Sequence, residues 1–273
     1  MRNDKRRRLQ ANGRMSCPTK NDDETNVELP PIRTPGPIKI WNTIDGFKKV
    51  GDKSIPVKIM LQEIPEDRYD DAIDHMVTYF LVDEPCCSAL KVIGDPLFLR
   101  DLRNVWKIIL KQGLSVGAFV ENPDGGKPEI AGLNVIGVEV KDDHRKVENY
   151  KITSLLAQKL IYTVMDLCKE AHIYEFYNTD RYMYALGLSV HPSYRGHALG
   201  GHILNTRLQI GREYNIPVTS TAFTSAISQK LAARCGFEVR FEKDYDQILD
   251  KEGKEVFPNI KFKTFKVMAR RLY

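Results

Sequence analysis

Two short stretches of this chain hold residue types that do chemistry. The first is Arg195-Gly196-His197-Ala198-Leu199-Gly200-Gly201, inside the run LSVHPSYRGHALGGHIL from Leu188 to Leu204. An apolar, strand-like run ends at Pro192, an Arg-Gly turn follows, and small residues lead into a helical pattern. A helix start leaves about four N–H groups without intrahelical acceptors, and the macrodipole adds roughly half a positive charge there. Small side chains at 196, 198, 200 and 201 let an anion approach those amides. Arg195 adds a charge-assisted donor. The same small residues also suit close helix–strand packing. The second stretch is Phe80-Leu81-Val82-Asp83-Glu84-Pro85. It sets two carboxylates at the end of a helix, where the dipole disfavours negative charge. That placement raises a carboxylate's proton affinity and suits a general base. An exposed polar turn has the same composition.

The anion is narrowed by what is missing. A P-loop needs G-x-x-x-x-G-K-[ST], and no such run occurs. A dinucleotide fold needs G-x-G-x-x-G early in a βαβ unit with an acidic residue about 20 positions on; this turn lies late and lacks that spacing. Coenzyme A remains. His191 and His197 flank the turn and are alternative bases at neutral pH, or loop histidines. Cys86 and Cys87 follow the carboxylates directly. A nucleophilic thiol needs an activating His or cation beside it, and none is adjacent, so both read as lining or packing residues. Tyr182, Met183 and Tyr184 precede the turn's strand and suit either the wall of an aromatic ligand pocket or strand packing.

Composition sets wider bounds. The 273 residues carry 41 Lys and Arg against 36 Asp and Glu, a net charge of +5. So near a balance is not that of a dedicated nucleic-acid binder, and the small excess suits an anionic ligand. No apolar run approaches the roughly 20 residues that cross a bilayer. The basic start MRNDKRRRLQ has no apolar region after it, so no secretory signal is expected. Five cysteines (17, 86, 87, 168, 235) show no C-x-x-C spacing, which argues against a disulfide framework or a metal site. A cytoplasmic monomer is expected. Lys5 to Arg8 is compatible with a nuclear address, an acidic partner or a solvated tail.

The positioning elements follow from periodicity. Residues 1–50 are rich in Pro and polar residues and read as a disordered or loosely attached tail; 51–273 read as one domain. A strand is predicted over Ile55–Ile64, then a helix from Pro65 to the break at Pro85, and another over 96–111. A hairpin turns at Asp124-Gly125 between strands at 114–122 and 129–140. A helix over 148–171 precedes the strand 183–190, and the small-residue turn opens a helix to about Tyr214. Then come a strand at 216–223, a short helix closed by Gly236, and strands at 237–245 and 260–272. The order β-α-α-β-β-α-β-α-β-α-β-β gives one mixed α/β sheet with helices on both faces.

At this point the sequence resembles a known family. Arg195-Gly196-His197-Ala198-Leu199-Gly200 is similar to the [RQ]-x-x-G-x-[GA] signature of the GNAT N-acetyltransferases, with Ala198 where the family has Gly. Ser228 to Phe237, SQKLAARCGF, resembles the family's fourth helix and its Gly-Phe ending. The element order extends the likeness from about residue 55 to 273. The resemblance implies a GNAT fold: a twisted mixed sheet of about seven strands, splayed between the fourth and fifth, which end near Val190 and Phe223. It implies that Leu188, Ser189 and Val190 pair with pantetheine and that amides across 195–201, including His197 and Leu199, hold the diphosphate of acetyl-CoA. Insect arylalkylamine N-acetyltransferases carry a similar Asp-Glu-Pro, which makes Glu84 the implied base with Asp83 its neighbour. The family's usual helix-four tyrosine is replaced by Ala232. The insect proteins have hydroxyls just before this helix, and the matching positions are Thr224 and Ser228. Both also suit helix capping. An alkylamine is protonated at pH 7, so its acetylation needs a base. The implied reaction is direct acetyl transfer to a small arylalkylamine of the dopamine, tyramine, octopamine or serotonin type. The alternatives are a polyamine, a protein lysine or another amine as acceptor, or a non-catalytic acyl-CoA-binding module.

Overall fold

The computed structural model describes residues 27–273. One sheet contains β1 (Ile40–Val50), β2 (Lys53–Glu63), β3 (Val116–Val120), β4 (Glu129–Val140), β5 (Arg181–Val190), β6 (Val218–Phe223), β7 (Glu238–Asp244) and β8 (Thr264–Arg271). Their order is β1-β2-β3-β4-β5-β6-β8-β7. Every neighbouring pair is antiparallel except β5 and β6. The helices are α1 (Tyr69–His75), α2 (Leu81–Asp83), α3 (Pro85–Leu90), α4 (Pro96–Leu110), α5 (Leu155–Lys169), α6 (Ile173–Tyr177), α7 (Leu199–Asn205), α8 (Arg207–Glu213) and α9 (Ala226–Arg234). None of them is long and apolar enough to cross a membrane.

The expected mixed α/β sheet with helices on both faces is present. Residues of α1, α3, α4 and α5 pack one face, with Trp106, Ile109 and Leu133 in that cluster. Those of α7 and α8 pack the other, with Leu199, Ile203 and Ile210 against Ala131, Ile136 and Met183. β4 is buried on both sides, which is why it reads as an almost continuous apolar run.

The N-terminal boundary needs correction. The stretch read as a tail through residue 50 contains β1, which pairs with β2 from Ile40↔Gln62 to Val50↔Lys53. The sheet therefore has eight strands rather than about seven. The boundary placed at 51 falls in the two-residue Gly51-Asp52 turn of this hairpin, with Gly51 at φ +59°. β1 is an edge strand and mostly exposed, so its sequence carries little apolar alternation. Residues 1–26, with Lys5 to Arg8, lie outside the described residues.

The segment before β1 is fixed by one buried carboxylate. Glu63 is fully buried and accepts from Arg33 Nε at 2.6 Å, Lys39 N at 3.0 Å and Tyr214 Oη at 2.8 Å. The amides of Ile32 and Arg33 both bond Gln112 C=O.

The first helix is not one smooth helix. A 3₁₀ turn at Glu66–Arg68 leads into α1, a π-helical turn spans Met76–Phe80, and α2 follows. Glu84 then extends, at ψ 121°, as expected of a residue before proline. Pro85 therefore does more than end a helix: it stands at the first position of α3, where its missing N–H costs nothing. The predicted 148–171 helix starts later, because Asp101 binds the amides of Thr153 and Ser154 and Ser154 caps α5.

β5 and β6 separate as expected of the strands ending near Val190 and Phe223. They share the single pair Met183↔Thr219. Side chains satisfy carbonyls along β5: Trp106 Nε1 donates to Leu186 C=O at 2.9 Å and Asn134 Nδ2 to Gly187 C=O at 2.8 Å. After β5 the chain turns through Gly196 at φ +95° and Ala198 at φ +59° into α7.

Two stability measurements follow. Arg33→Ala leaves the Glu63 carboxylate buried without its cation; a loss of about 3 kcal/mol is expected in urea unfolding. Ala198 holds a left-handed conformation that costs a non-glycine residue about 1–2 kcal/mol, partly offset by glycine's greater chain entropy. Ala198→Gly is expected to stabilise the protein by about 0.5–1 kcal/mol in the same assay.

Candidate active site

Glu84 sits where the break before Pro85 turns its side chain inward. It is only 9% exposed. Its Oε2 accepts from Cys87 N at 2.6 Å and so caps α3, while Oε1 is buried with no partner among the described residues. The carboxylate thus stands at the positive start of α3 as well as at the end of α2, and not at a disfavoured helix end alone. A buried carboxylate oxygen without a donor is costly and is free to accept a proton.

Glu84 lines a cavity of about 340 Å³ that penetrates the splay. Phe80, Glu84, Trp106, Leu188, Phe223 and Leu231 are among its lining residues. Cys86 and Cys87 line it too; burial and the adjacent Glu84 push both thiols well up, against a nucleophilic role. Tyr182 and Tyr184 face the cavity, whereas Met183 is buried in the cluster on the opposite face of the sheet. Strand alternation divides the three as a half-buried strand requires.

The small-residue turn is tied to the end of α2. Arg195 donates through Nη2 to Asp83 at 2.6 Å and through Nε to Val190 C=O at 2.8 Å. Sequence reasoning made Arg195 an anion donor and gave Asp83 no contact; here they join the two chemistry-bearing stretches. The amides of Gly196, His197, Ala198, Leu199 and Gly200 bond no acceptor among the described residues. Those of Gly201 and His202 turn back to Ala198 C=O. A Cβ on Gly200 would stand 3.3 Å from Leu231, and one on Gly201 3.4 Å from it. The two glycines thus allow α7 to pack on α9, while the open amides lie mainly before them. Leu188, Ser189 and Val190 pair with Asn134, Leu133 and Gly132 along one edge; no pairing with β6 reaches this end of β5.

Thr224 and Ser228 both line the cavity. Ser228 also forms a reciprocal capping box with Ser225: Ser228 N donates to Ser225 Oγ at 3.1 Å and Ser225 N to Ser228 Oγ at 3.2 Å. The Ser228 hydroxyl donates to Ser225 C=O at 2.9 Å. The Thr224 carbonyl accepts from Tyr245 Oη at 2.8 Å. Ala232, at the helix-four position, is buried.

Neither flanking histidine lines the cavity. His191 accepts from Ser193 N at 3.2 Å and packs on Tyr79 with ring centroids 4.6 Å apart; burial lowers its proton affinity. His197 packs on Phe47 at 4.9 Å.

Several neighbours of the site escaped sequence reasoning. Lys49 Nζ lies 3.6 Å from where a Cβ on Gly196 would stand. It arrives on β1, whose Gly51-Asp52 turn was the available signal. Glu139, accepting from Tyr182 at 2.8 Å and Tyr174 at 3.0 Å, lines the cavity away from Glu84 in the chain. Asn134 and Arg207 meet at the root of the splay. No local motif marks them, since their role depends on which strands lie side by side.

Comparison with known proteins agrees with this geometry. The sequence model described as "Acetyltransferase (GNAT) family" matches residues 170–237. A search of curated protein sequences gave no match. Among solved structures, the chain is similar to a putative arylalkylamine N-acetyltransferase 7 from the yellow fever mosquito Aedes aegypti: 31% identity, TM-score 0.77, covering 86% of this chain and 96% of that one. Arylalkylamine N-acetyltransferase 2 from Aedes aegypti has the same fold at 24% identity and TM-score 0.69, with 79% and 99% covered. So does a polyamine N-acetyltransferase from Drosophila melanogaster, at 17% identity and TM-score 0.66, with 78% and 99% covered. With one relative 31% identical across most of both chains and the signature turn in place beside a splayed sheet, this chain belongs to the GNAT family of N-acetyltransferases.

Proposed function

We propose that this enzyme transfers the acetyl group of acetyl-CoA to the primary amine of a small arylalkylamine of the dopamine, tyramine, octopamine or serotonin type, by direct transfer in a ternary complex. The observation that carries the reading is the buried Glu84, which lines an apolar, aromatic-walled cavity at the splay and whose Oε1 has no partner among the described residues. The open amides from Gly196 to Gly200 suit the coenzyme's diphosphate. The unpaired edge at Leu188 to Val190 suits its pantetheine amides.

In this reading the amine enters against Phe80 and Trp106 and presents its nitrogen to Glu84. Glu84 takes one proton from the substrate ammonium, and the neutral nitrogen then adds to the thioester carbon; the C–N bond forms as the C–S electron pair leaves on sulphur. The second surplus proton on nitrogen is released to water. Thr224 and Ser228 are the hydroxyls assigned to the sulphur side. The reaction is assigned to a cytoplasmic monomer, tested by cell fractionation and light scattering.

The rival acceptor is a polyamine: Glu139, Asp143 and Glu148 line the same cavity, there beside Arg145, Lys146 and Lys169.

Three outcomes are expected. Glu84→Gln should lower kcat by about 10²- to 10⁴-fold at neutral pH; a wild-type rate would reject the base assignment. A thiol-release screen should give higher kcat/KM for arylalkylamines than for putrescine or agmatine, and the reverse order would favour the polyamine reading. Ser228→Ala should lose about 1 kcal/mol of stability through its cap and also slow turnover; an unchanged kcat would leave capping as its whole role.

A further inference from the structure

We infer that Arg207 stabilises the negative charge left on the coenzyme's sulphur as the thioester breaks, an assignment that rests on the acetyl-CoA reading above. Arg207 is the first residue of α8 and is 2% exposed. Its guanidinium donates through Nε and Nη2 to Asn134 Oδ1 at 3.0 and 2.8 Å. It donates through Nη1 to Thr219 Oγ1 at 2.9 Å and Thr221 Oγ1 at 2.8 Å. These neutral acceptors take four of the five N–H groups a guanidinium offers.

Among the described residues no carboxylate pairs with it, whereas Arg68, also buried, pairs with Asp71 at 2.6 Å. Among the described residues, the side chains packed on it bring no negative charge. β4 contributes Asn134 and β6 the two threonines. The turn after α9 contributes the Cys235 thiol, which burial keeps protonated, and the Phe237 ring at 5.9 Å. β8 contributes Arg270, a second cation, which donates to Cys235 C=O. Burial lowers Arg207 to about 9, so it remains a cation at neutral pH.

A buried cation without an opposite charge costs several kcal/mol, and an apolar side chain of similar volume would avoid that cost. Arg207 is also placed at the candidate site. It lines the cavity that contains Glu84, Leu188 and Ser228. Its partner Asn134 stands opposite Leu188 in the β4–β5 register and holds Gly187 C=O. The guanidinium is thus one side chain away from the strand that aligns the thioester. The sulphur of acetyl-CoA is neutral, and it becomes a thiolate when the C–S pair departs. A cation fixed beforehand favours that state over the ground state without reorganising.

The test is binding of CoA and of desulfo-CoA, which lacks the sulphur, by calorimetry at pH 6.5 and 8.0. A stabilised thiolate lowers the thiol's pKa in the complex below its free value of about 8.5, so affinity for CoA climbs as pH rises through that window. For the wild type we expect about a threefold rise for CoA between these two pH values, the effect of lowering the thiol's pKa by about one unit, and none for desulfo-CoA. Arg207→Met should flatten the CoA response and lower kcat about 10²-fold with little change in KM for acetyl-CoA; Arg207→Lys should restore most of both. Parallel pH responses of the two ligands in the wild type would overturn the inference, and that measurement needs no variant to fold. Failure of either ligand to bind would instead remove the acetyl-CoA reading itself.

Discussion

Adjacent parallel strands ordinarily exchange a continuous ladder of backbone bonds, and β5 and β6 exchange one pair before they diverge. Everything proposed for this protein sits in the opening that results. Backbone groups withdrawn from a ladder must be satisfied elsewhere, and here Trp106 and Asn134 take the carbonyls of Leu186 and Gly187. Arg207 bridges Asn134 to Thr219 and Thr221, tying β4 to β6 across the root of the gap. The opening is therefore built by side chains from α4, β4 and α8.

Two connections bring chemistry to the gap. Asp83 and Arg195 lie 112 residues apart and meet at 2.6 Å, fixing the end of α2 against the turn after β5. This pair is half exposed, so its stabilising effect is small; its effect is positional. Pro85 supplies the other connection, because the extended backbone it imposes on Glu84 points the carboxylate into the interior. Charge in the gap is arranged unevenly: among the described residues, a carboxylate on α3's cap has one oxygen without a donor, and a cation on α8 has no carboxylate partner.

Much of the fold was legible along the chain, for local reasons. Seven strands and the main helices announce themselves by periodicity. β1 does not, because an exposed edge strand needs no apolar face; only its two-residue Gly51-Asp52 turn marked it. The helix starts at 66, 96 and 199 follow from Pro65, Pro96 and the small-residue turn. The start of α5 did not, because Asp101, some fifty residues earlier, fixes the amides of Thr153 and Ser154. The π-helical turn at Met76–Phe80 likewise leaves no local signature.

The sequence by itself determined the strand–turn–helix of residues 188–204, the backbone break at Glu84-Pro85 and the likeness that both bear to GNAT enzymes. Those are properties of residue type and spacing over a few positions, where glycine, proline and capping rules act. Only the tertiary structure decided that Asp83 meets Arg195, that Lys49 stands beside Gly196, and that Arg207 lies buried among neutral partners at the root of the splay. Such facts concern residues tens of positions apart, and nothing along the chain encodes them until packing chooses which strands lie side by side.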